Sequence, residues 1–501
     1  MTGTELEMTP AEVANRARLA TLLGRDWRLL VGGELIPAAG GATFPVTSPI
    51  DGAHLADIPN ADQGLVDQTV QLAETAFPQW RDTDVQERGR LVGMLADLIE
   101  EHIDDLALLD AVDGGAPISV MAGDVRQAAK ICRYFAGLAL ELKGETIPAS
   151  RTGVHFTLRQ PFGVVAKIIP FNHPILFAVS KLAAPLVAGN TVVLKPAEAT
   201  PLSALYFGEL AQKAFPPGVL QIVVGDGPAV PRALVRHPSI RRIGFTGSET
   251  TGRGILRDAA EVGVKDITLE LGGKNALIAF PDTDPAQVAA GAVRGMNFTW
   301  SGQSCGSTSR LIVHESIADA VLTAMVKQLA EHTVGSPLDP AHHQGPVVNR
   351  TQYDKVVGFI DEARRMGAQL VTGGGRPANV SDDGFYLAPT ILDRVDAGWP
   401  VATDEIFGPV LSVIRWGNDD DPVAIANSVQ YGLTGSVYTN DLRRAHRVAN
   451  ALETGYVWVN GTAQHFLGTP FGGVKSSGLG REESIGELLS YTQEKAVHVI
   501  I

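Results

Sequence analysis

Cysteine is scarce in this chain: two thiols, Cys132 and Cys305, in 501 residues. One disulfide would be an unusual scaffold for so long a polypeptide, so reduced thiols and a reducing compartment, the cytoplasm, are expected. Basic residues are in deficit, with 41 Lys and Arg against 55 Asp and Glu, a formal net charge of −14. No run of Lys and Arg is dense enough to grip phosphodiester, which argues against nucleic acid and anionic membrane as partners. No stretch reaches the roughly 18 consecutive apolar residues of a membrane span. The first residues carry Glu5 and Glu7 and no apolar core segment, unlike a secretory signal. His342-His343 has no partner ligands at metal spacing, so no metal site is assigned. Aromatics are few at 6%, whereas 54 Gly and 30 Pro mark many turns between short elements. A hydrophobic content of 45% is ordinary for a globular chain with a large core, and the length suggests about three domains' worth of sequence.

The hydropathy pattern divides the chain. Residues 1–26 read as an extension with one amphipathic helix, and a compact domain starts near Leu29. Leu91, Leu95, Leu98 and Ile99 recur at helical spacing and predict a helix over 85–112; a second is predicted over 121–142. In that second helix Cys132 lies among Ile131, Phe135 and Leu138, a core-like position for an inert thiol. From 162 to 280, apolar runs (GVVAKII, TVVLK, LQIVV, IRRIGF, DITLEL) alternate with helical segments at 174–188, 200–215, 228–236 and 248–263. Continuous Val/Ile/Leu runs imply strands buried on both faces, hence a doubly wound parallel sheet that binds ligands at its carboxyl ends. A second α/β pattern follows, with strands at 275–280, 309–314, 369–372, 409–415, 435–439 and 455–460. Its helices fall near 284–300, 316–332, 350–366 and 441–453. The terminal VHVII is a bare apolar strand that needs a partner, and another subunit is a good candidate.

Candidate chemistry falls at the ends of these elements. Cys305 sits in a small-residue loop, Ser301-Gly302-Gln303-Ser304-Cys305-Gly306, with room for a carbonyl to approach the sulfur. Taken alone, a packed free cysteine is the commoner explanation. Glu270 ends the strand DITLEL, where a carboxylate is costly unless paired, for instance with Lys274, or used as a general base. Asn172, in Pro170-Phe171-Asn172-His173-Pro174, is either a turn asparagine or an amide aimed at a developing oxyanion. Gly244-Phe245-Thr246-Gly247-Ser248 follows a strand and opens a helix, a natural seat for pyrophosphate, with Gly252 one turn on. Gly225-Asp226-Gly227 is a weak partial match to a dinucleotide loop, and Gly373-Gly374-Gly375 reads as an exposed hairpin loop.

Seven motifs in order give these positions a common meaning: PFNHP (170–174), KPAE (195–198), GFTGS (244–248), ELGGK (270–274), GQSC (302–305), EIFGPV (405–410) and PFGGVKSSGLGRE (470–482). From roughly Leu29 to Val499 the chain resembles the NAD(P)-dependent aldehyde dehydrogenase superfamily. The resemblance implies an α/β fold with a dinucleotide-binding domain (27–142 and 162–271) and a second α/β catalytic domain (272–476). It also implies an oligomerisation segment (143–161 and 485–501) in which a short hairpin pairs with the C-terminal strand, giving a homodimer or homotetramer. It implies that Cys305 is the nucleophile, Glu270 the general base, and Asn172 with the Cys305 backbone N–H the oxyanion hole. Lys195 and Glu198 would hold the adenosine ribose, Gly247 and Ser248 a phosphate, and Glu405 the nicotinamide ribose, with Phe407 beside the nicotinamide. The Glu198 carboxylate suits free ribose hydroxyls and repels a 2′-phosphate, so NAD is expected rather than NADP.

The implied reaction is oxidation of an aldehyde to its acid through a thiohemiacetal and thioester on Cys305. The alternatives are a CoA-acylating or semialdehyde-specific dehydrogenase, or a non-catalytic dinucleotide-binding relative. The chain departs from the family pattern on the substrate side. Phe171 and His173 replace the usual aromatic pair around Asn172, Trp300 and Ser301 precede the cysteine, and the Gly461–Thr469 loop carries His465. His173, Phe177, Ser180, Trp300, His465 and Phe471 are expected to wall the aldehyde tunnel. No basic cluster stands among them, so a neutral aromatic or aliphatic aldehyde is expected.

Overall fold

The computed structural model describes residues 8–501. Its first sheet has eight strands, and the central five are parallel in the spatial order Leu220–Ile222, Thr191–Lys195, Val164–Ile168, Ile240–Thr246, Asp266–Glu270. Counted along the chain this is 3-2-1-4-5, so the winding direction reverses between Val164–Ile168 and Ile240–Thr246. Ligands bind such sheets at that reversal, beyond the carboxyl ends of the strands. Pro170–Pro174 and Gly247-Ser248 are the segments that leave those two ends. Val164–Ile168 and Thr191–Lys195 are buried at every residue, as their unbroken apolar runs require. Antiparallel strands close both edges, Leu29–Val31 and Glu34–Ile36 on one side and Gly478–Leu479 on the other.

The second sheet has seven strands in the order Gln369–Thr372, Thr390–Asp393, Val410–Trp416, Arg310–His314, Ala276–Ala279, Thr434–Tyr438, Tyr456–Val459. All are parallel except the first, which forms a wide hairpin with Thr390–Asp393. Gly373 and Gly374 open its loop, both with positive φ.

Three local expectations need correction. The periodic stretch 85–112 is two helices, Val85–Glu101 and Ile103–Gly114, broken at His102 (φ −113°, ψ 21°). Hydrophobic spacing persists across the break, so periodicity alone reads it as continuous. The helix expected over 284–300 stops at Gly295, because Asn297 and Ser301 take left-handed φ values of 54° and 52°. That irregular segment reorients the chain toward Cys305. The terminal strand, Thr492–Ile500, pairs with the implied hairpin within 143–161 and does not await another subunit. It forms a nine-residue antiparallel ladder with Gly153–Pro161 of the same chain, with Thr146–Ile147 on the far side. Cys132 is fully buried in the helix Ile118–Gly137, where loss of solvation pushes its thiol up to about 12. The helix Pro10–Leu23 buries Leu19 and Leu22 against the first domain's core.

Candidate active site

Asp266–Glu270 leads its last residue out of solvent. Glu270 is buried, and neither carboxylate oxygen has a hydrogen-bond partner. Burial pushes its carboxyl well above the usual range, the nearby Glu482 adds to this, and Lys181 opposes it. A buried carboxylate without partners is costly to keep, so structural economy does not explain it. The ion pair with Lys274 is not formed: the Lys274 ammonium is itself buried without a partner, and burial lowers it to about 7.

Cys305 faces Glu270 across a cavity of about 300 Å³. Its loop is fixed from below, since the Asn275 amide donates to the Cys305 carbonyl at 2.7 Å and to the Ser307 carbonyl at 2.9 Å. Burial and then the Glu270 and Glu405 carboxylates push the thiol up to about 12, while Lys181 and the Gly306 N–H favour the thiolate. The resting sulfur is therefore protonated near neutral pH, and attack requires a base to take that proton. Asn172 is buried at the turn between the strand Val164–Ile168 and the helix Pro174–Val187, and its Oδ1 has no partner.

His173, Phe177, Ser180, Trp300, His465 and Phe471 all line the cavity that holds Cys305 and Glu270. His173 packs edge-on and tilted against Phe177 and Trp300, with ring centroids 5.4 Å away in both cases. His465 packs on Phe471 at 4.6 Å. The sequence reading missed the ionisable residues among them: Asp124, Lys181, Glu483 and Glu487 had no assignment, and Glu482 only motif membership. Lys181 pairs with Glu482, which also lies 3.9 Å from Lys167. Burial pulls Lys181 down, but Glu482 and Glu487 outweigh it and raise it. Glu487 is pushed up to about 7 by burial and by Glu482. Lys181 had a legible signal, since His173, Phe177 and Lys181 fall four residues apart on one face of a helix. Asp124 comes from a distant helix and had none, and Glu483 and Glu487 lie just beyond the last motif.

The residues expected to hold a dinucleotide gather at the same carboxyl ends. Lys195 ends its strand buried, with Nζ 2.8 Å from a carboxylate oxygen of the half-exposed Glu198. Ser248 caps the helix Glu249–Val262, its hydroxyl accepting from the Thr251 N–H at 3.3 Å. A Cβ on Gly247 would come within 2.5 Å of the Phe245 ring, so backbone is bared there for an anion. Glu405 accepts from the Gly273 N–H at 3.0 Å, and a side chain on Gly272 would collide with its carboxylate. Phe407 meets Phe171 edge to face at 5.7 Å. Gln352 holds that loop by donating to the Ile406 and Phe407 carbonyls, each at 2.8 Å. Bared backbone, a helix N-terminus and two carboxylates are the kinds of group that suit the phosphates and ribose hydroxyls of a dinucleotide.

Comparison with known proteins agrees. Residues 36–497 match the model of the aldehyde dehydrogenase family. The aldehyde dehydrogenase tropH of Talaromyces stipitatus is 42% identical over 460 residues, covering 90% of this chain and 89% of that protein. An aldehyde dehydrogenase from Bacillus cereus, solved as its NAD+ complex, superposes with a TM-score of 0.93 at 36% identity, covering 99% of this chain and all of the other. The indole-3-acetaldehyde dehydrogenase of P. syringae, solved with NAD+ and IAA, superposes with a TM-score of 0.94 at 34% identity, covering 98% and 100%. The chain belongs to the aldehyde dehydrogenase family, whose reaction is the oxidation of aldehydes to carboxylic acids.

Proposed function

We propose that this chain oxidises a neutral aldehyde to its carboxylic acid with NAD, using Cys305 as nucleophile, Glu270 as general base and Asn172 in the oxyanion hole. One observation carries the reading: an unpartnered buried carboxylate and a half-buried thiol share one cavity beside the sheet's reversal point. Glu270, with its raised pKa, accepts the thiol proton as the Cys305 sulfur attacks the carbonyl carbon. The oxygen becomes an alkoxide held by the Asn172 amide and the Cys305 backbone N–H; one such donor is worth roughly 2.7–4 kcal/mol. Lys195, Glu198, Gly247, Ser248, Glu405 and Phe407 would hold the dinucleotide, which when bound would supply the hydride acceptor. With hydride lost, the acyl group remains on Cys305 as a thioester. Glu270 gives up the first proton to solvent and then removes a proton from water as it attacks the thioester, whose carbon–sulfur bond breaks to release the acid and return the Cys305 sulfur. A carboxylate so placed favours water over coenzyme A as the acyl acceptor.

The negative charge of Glu198 favours a free ribose hydroxyl over a 2′-phosphate, so initial rates with NAD exceed those with NADP. The proposed assembly is a homodimer or homotetramer joined through residues 143–161 and 485–501, and the two free thiols suit the cytoplasm. Among the described residues no helix is long and apolar enough to cross a membrane. The decisive assay is NADH formation from a panel of small aldehydes, with Cys305→Ala as control. Turnover that survives the substitution refutes the mechanism.

A further inference from the structure

We propose that Asp124 and His173 form a hydroxyl-recognising pair, so that the preferred substrate is an aromatic aldehyde bearing a ring hydroxyl. This rests on the reading of the Cys305 cavity as the aldehyde site. Asp124 lies on the helix Ile118–Gly137, is 6% exposed, and has a carboxylate oxygen 2.7 Å from His173 Nδ1. An ionised carboxylate only accepts hydrogen bonds, so His173 Nδ1 carries a proton and Nε2 is the nitrogen left to meet a ligand. That nitrogen makes no hydrogen bond within the protein and is not among the sealed polar atoms, and the ring lines the cavity. Packing alone does not account for the arrangement: a phenylalanine at 173 would fill the same volume without burying a carboxylate at 124.

The surroundings narrow the ligand further. Phe177 and Trp300 flank the imidazole at 5.4 Å, giving an aromatic wall suited to a flat ring. A hydroxyl can donate to His173 Nε2 or accept from it, so it suits that nitrogen whichever way the proton lies. Among the residues lining the cavity, Lys181 is the one Lys or Arg, and it is already paired with Glu482. Glu270, Glu483 and Glu487 add carboxylates to the same wall. A substrate carboxylate would find no unpaired Lys or Arg there, whereas a neutral hydroxyl needs none.

The test compares kcat/KM for 4-hydroxy-, 3-hydroxy- and unsubstituted benzaldehyde in wild type, Asp124→Asn, His173→Phe and His465→Phe. His465 is included because its Nδ1 lies 3.0 Å from Glu483, a second pair of the same chemistry in the same cavity. Wild type should prefer one hydroxybenzaldehyde over benzaldehyde by at least about tenfold, expressed in KM rather than kcat. In D124N and H173F the preference should fall to within about twofold, and in H465F it should persist. Each ratio is taken within one variant, so general losses of activity cancel. If a variant fails to fold, wild-type inhibition by 4-hydroxybenzoate against benzoate reports the same preference. Equal turnover of the three aldehydes by wild type overturns the proposal, as does an unchanged ratio in D124N and H173F or a ratio lost only in H465F. Benzaldehyde oxidised without hydroxyl preference defeats this inference alone; failure to oxidise any aldehyde defeats the catalytic reading beneath it.

Discussion

At the scale of single residues, the proposed chemistry depends on Glu270 being kept where water solvates it poorly. Burial raises its carboxyl well above the ordinary range, which has two measurable consequences. As a base it works only when ionised, so kcat/KM should fall on the acid side of a limb lying above normal carboxylate pKa values. Glu270→Gln should abolish that limb and lower kcat by about 10²–10⁴-fold; a pH–rate series on both proteins checks this. The second consequence is for stability. The unfolded chain ionises Glu270 in the usual range and the folded protein only at higher pH, so stability falls as pH rises through that window. Glu270→Gln should therefore melt higher than wild type at pH 8, by about 1 °C per kcal/mol relieved in a chain of this length, with the gain vanishing below the ordinary carboxylate range. Thermal melts at pH 8 and pH 4 measure the difference. From the sequence, the costly position of Glu270 at a strand end was legible, and so was the small-residue loop around Cys305. The ring of carboxylates from 124, 482, 483 and 487 was not, because nothing in the spacing of those segments says that they meet.

At the scale of elements, the sheet reversal decides where the cofactor can lie, and short caps hold the elements there. Ser248 satisfies an orphan N–H at the start of Glu249–Val262, and losing such a cap costs about 1 kcal/mol. Ser248→Ala should raise the KM for NAD while lowering the melting temperature only slightly, because the same hydroxyl stands where the pyrophosphate is proposed to bind. Steady-state kinetics with varied NAD would show it, and an unchanged KM would remove Ser248 from the cofactor site. Five parallel strands were legible as unbroken apolar runs. The break at His102 and the left-handed turns at Asn297 and Ser301 were not, since hydrophobic spacing runs on when the backbone changes direction.

At the scale of the whole molecule, two α/β sheets and a three-stranded arm are joined by segments that cross between them. The ladder of Gly478–Leu479 against Leu269-Glu270 ties the chain's late residues to the proposed base. In the arm, Val154, Leu158, Val499 and Ile500 remain exposed after Thr492–Ile500 pairs with Gly153–Pro161. An apolar, open-edged ribbon of this kind is a natural contact between copies. Removing residues 497–501 should strip about half the ladder and reduce the proposed homodimer or homotetramer to smaller or aggregated species. Light scattering coupled to gel filtration tests this, and an unchanged mass would place the subunit contact elsewhere.

The sequence by itself determined what is local or periodic: which runs are buried strands, where the helices that follow them start, and which seven motifs stand in order along one chain. Motif and period are properties of neighbours, so they survive reading in one dimension. Only the tertiary structure decided which distant groups share a cavity: that His173 leans on Asp124, that Lys181 is spent on Glu482, and that the last strand finds its partner within its own chain. Charge, burial and hydrogen bonding act through space, and their outcome is set by the distance between side chains rather than by their separation along the backbone.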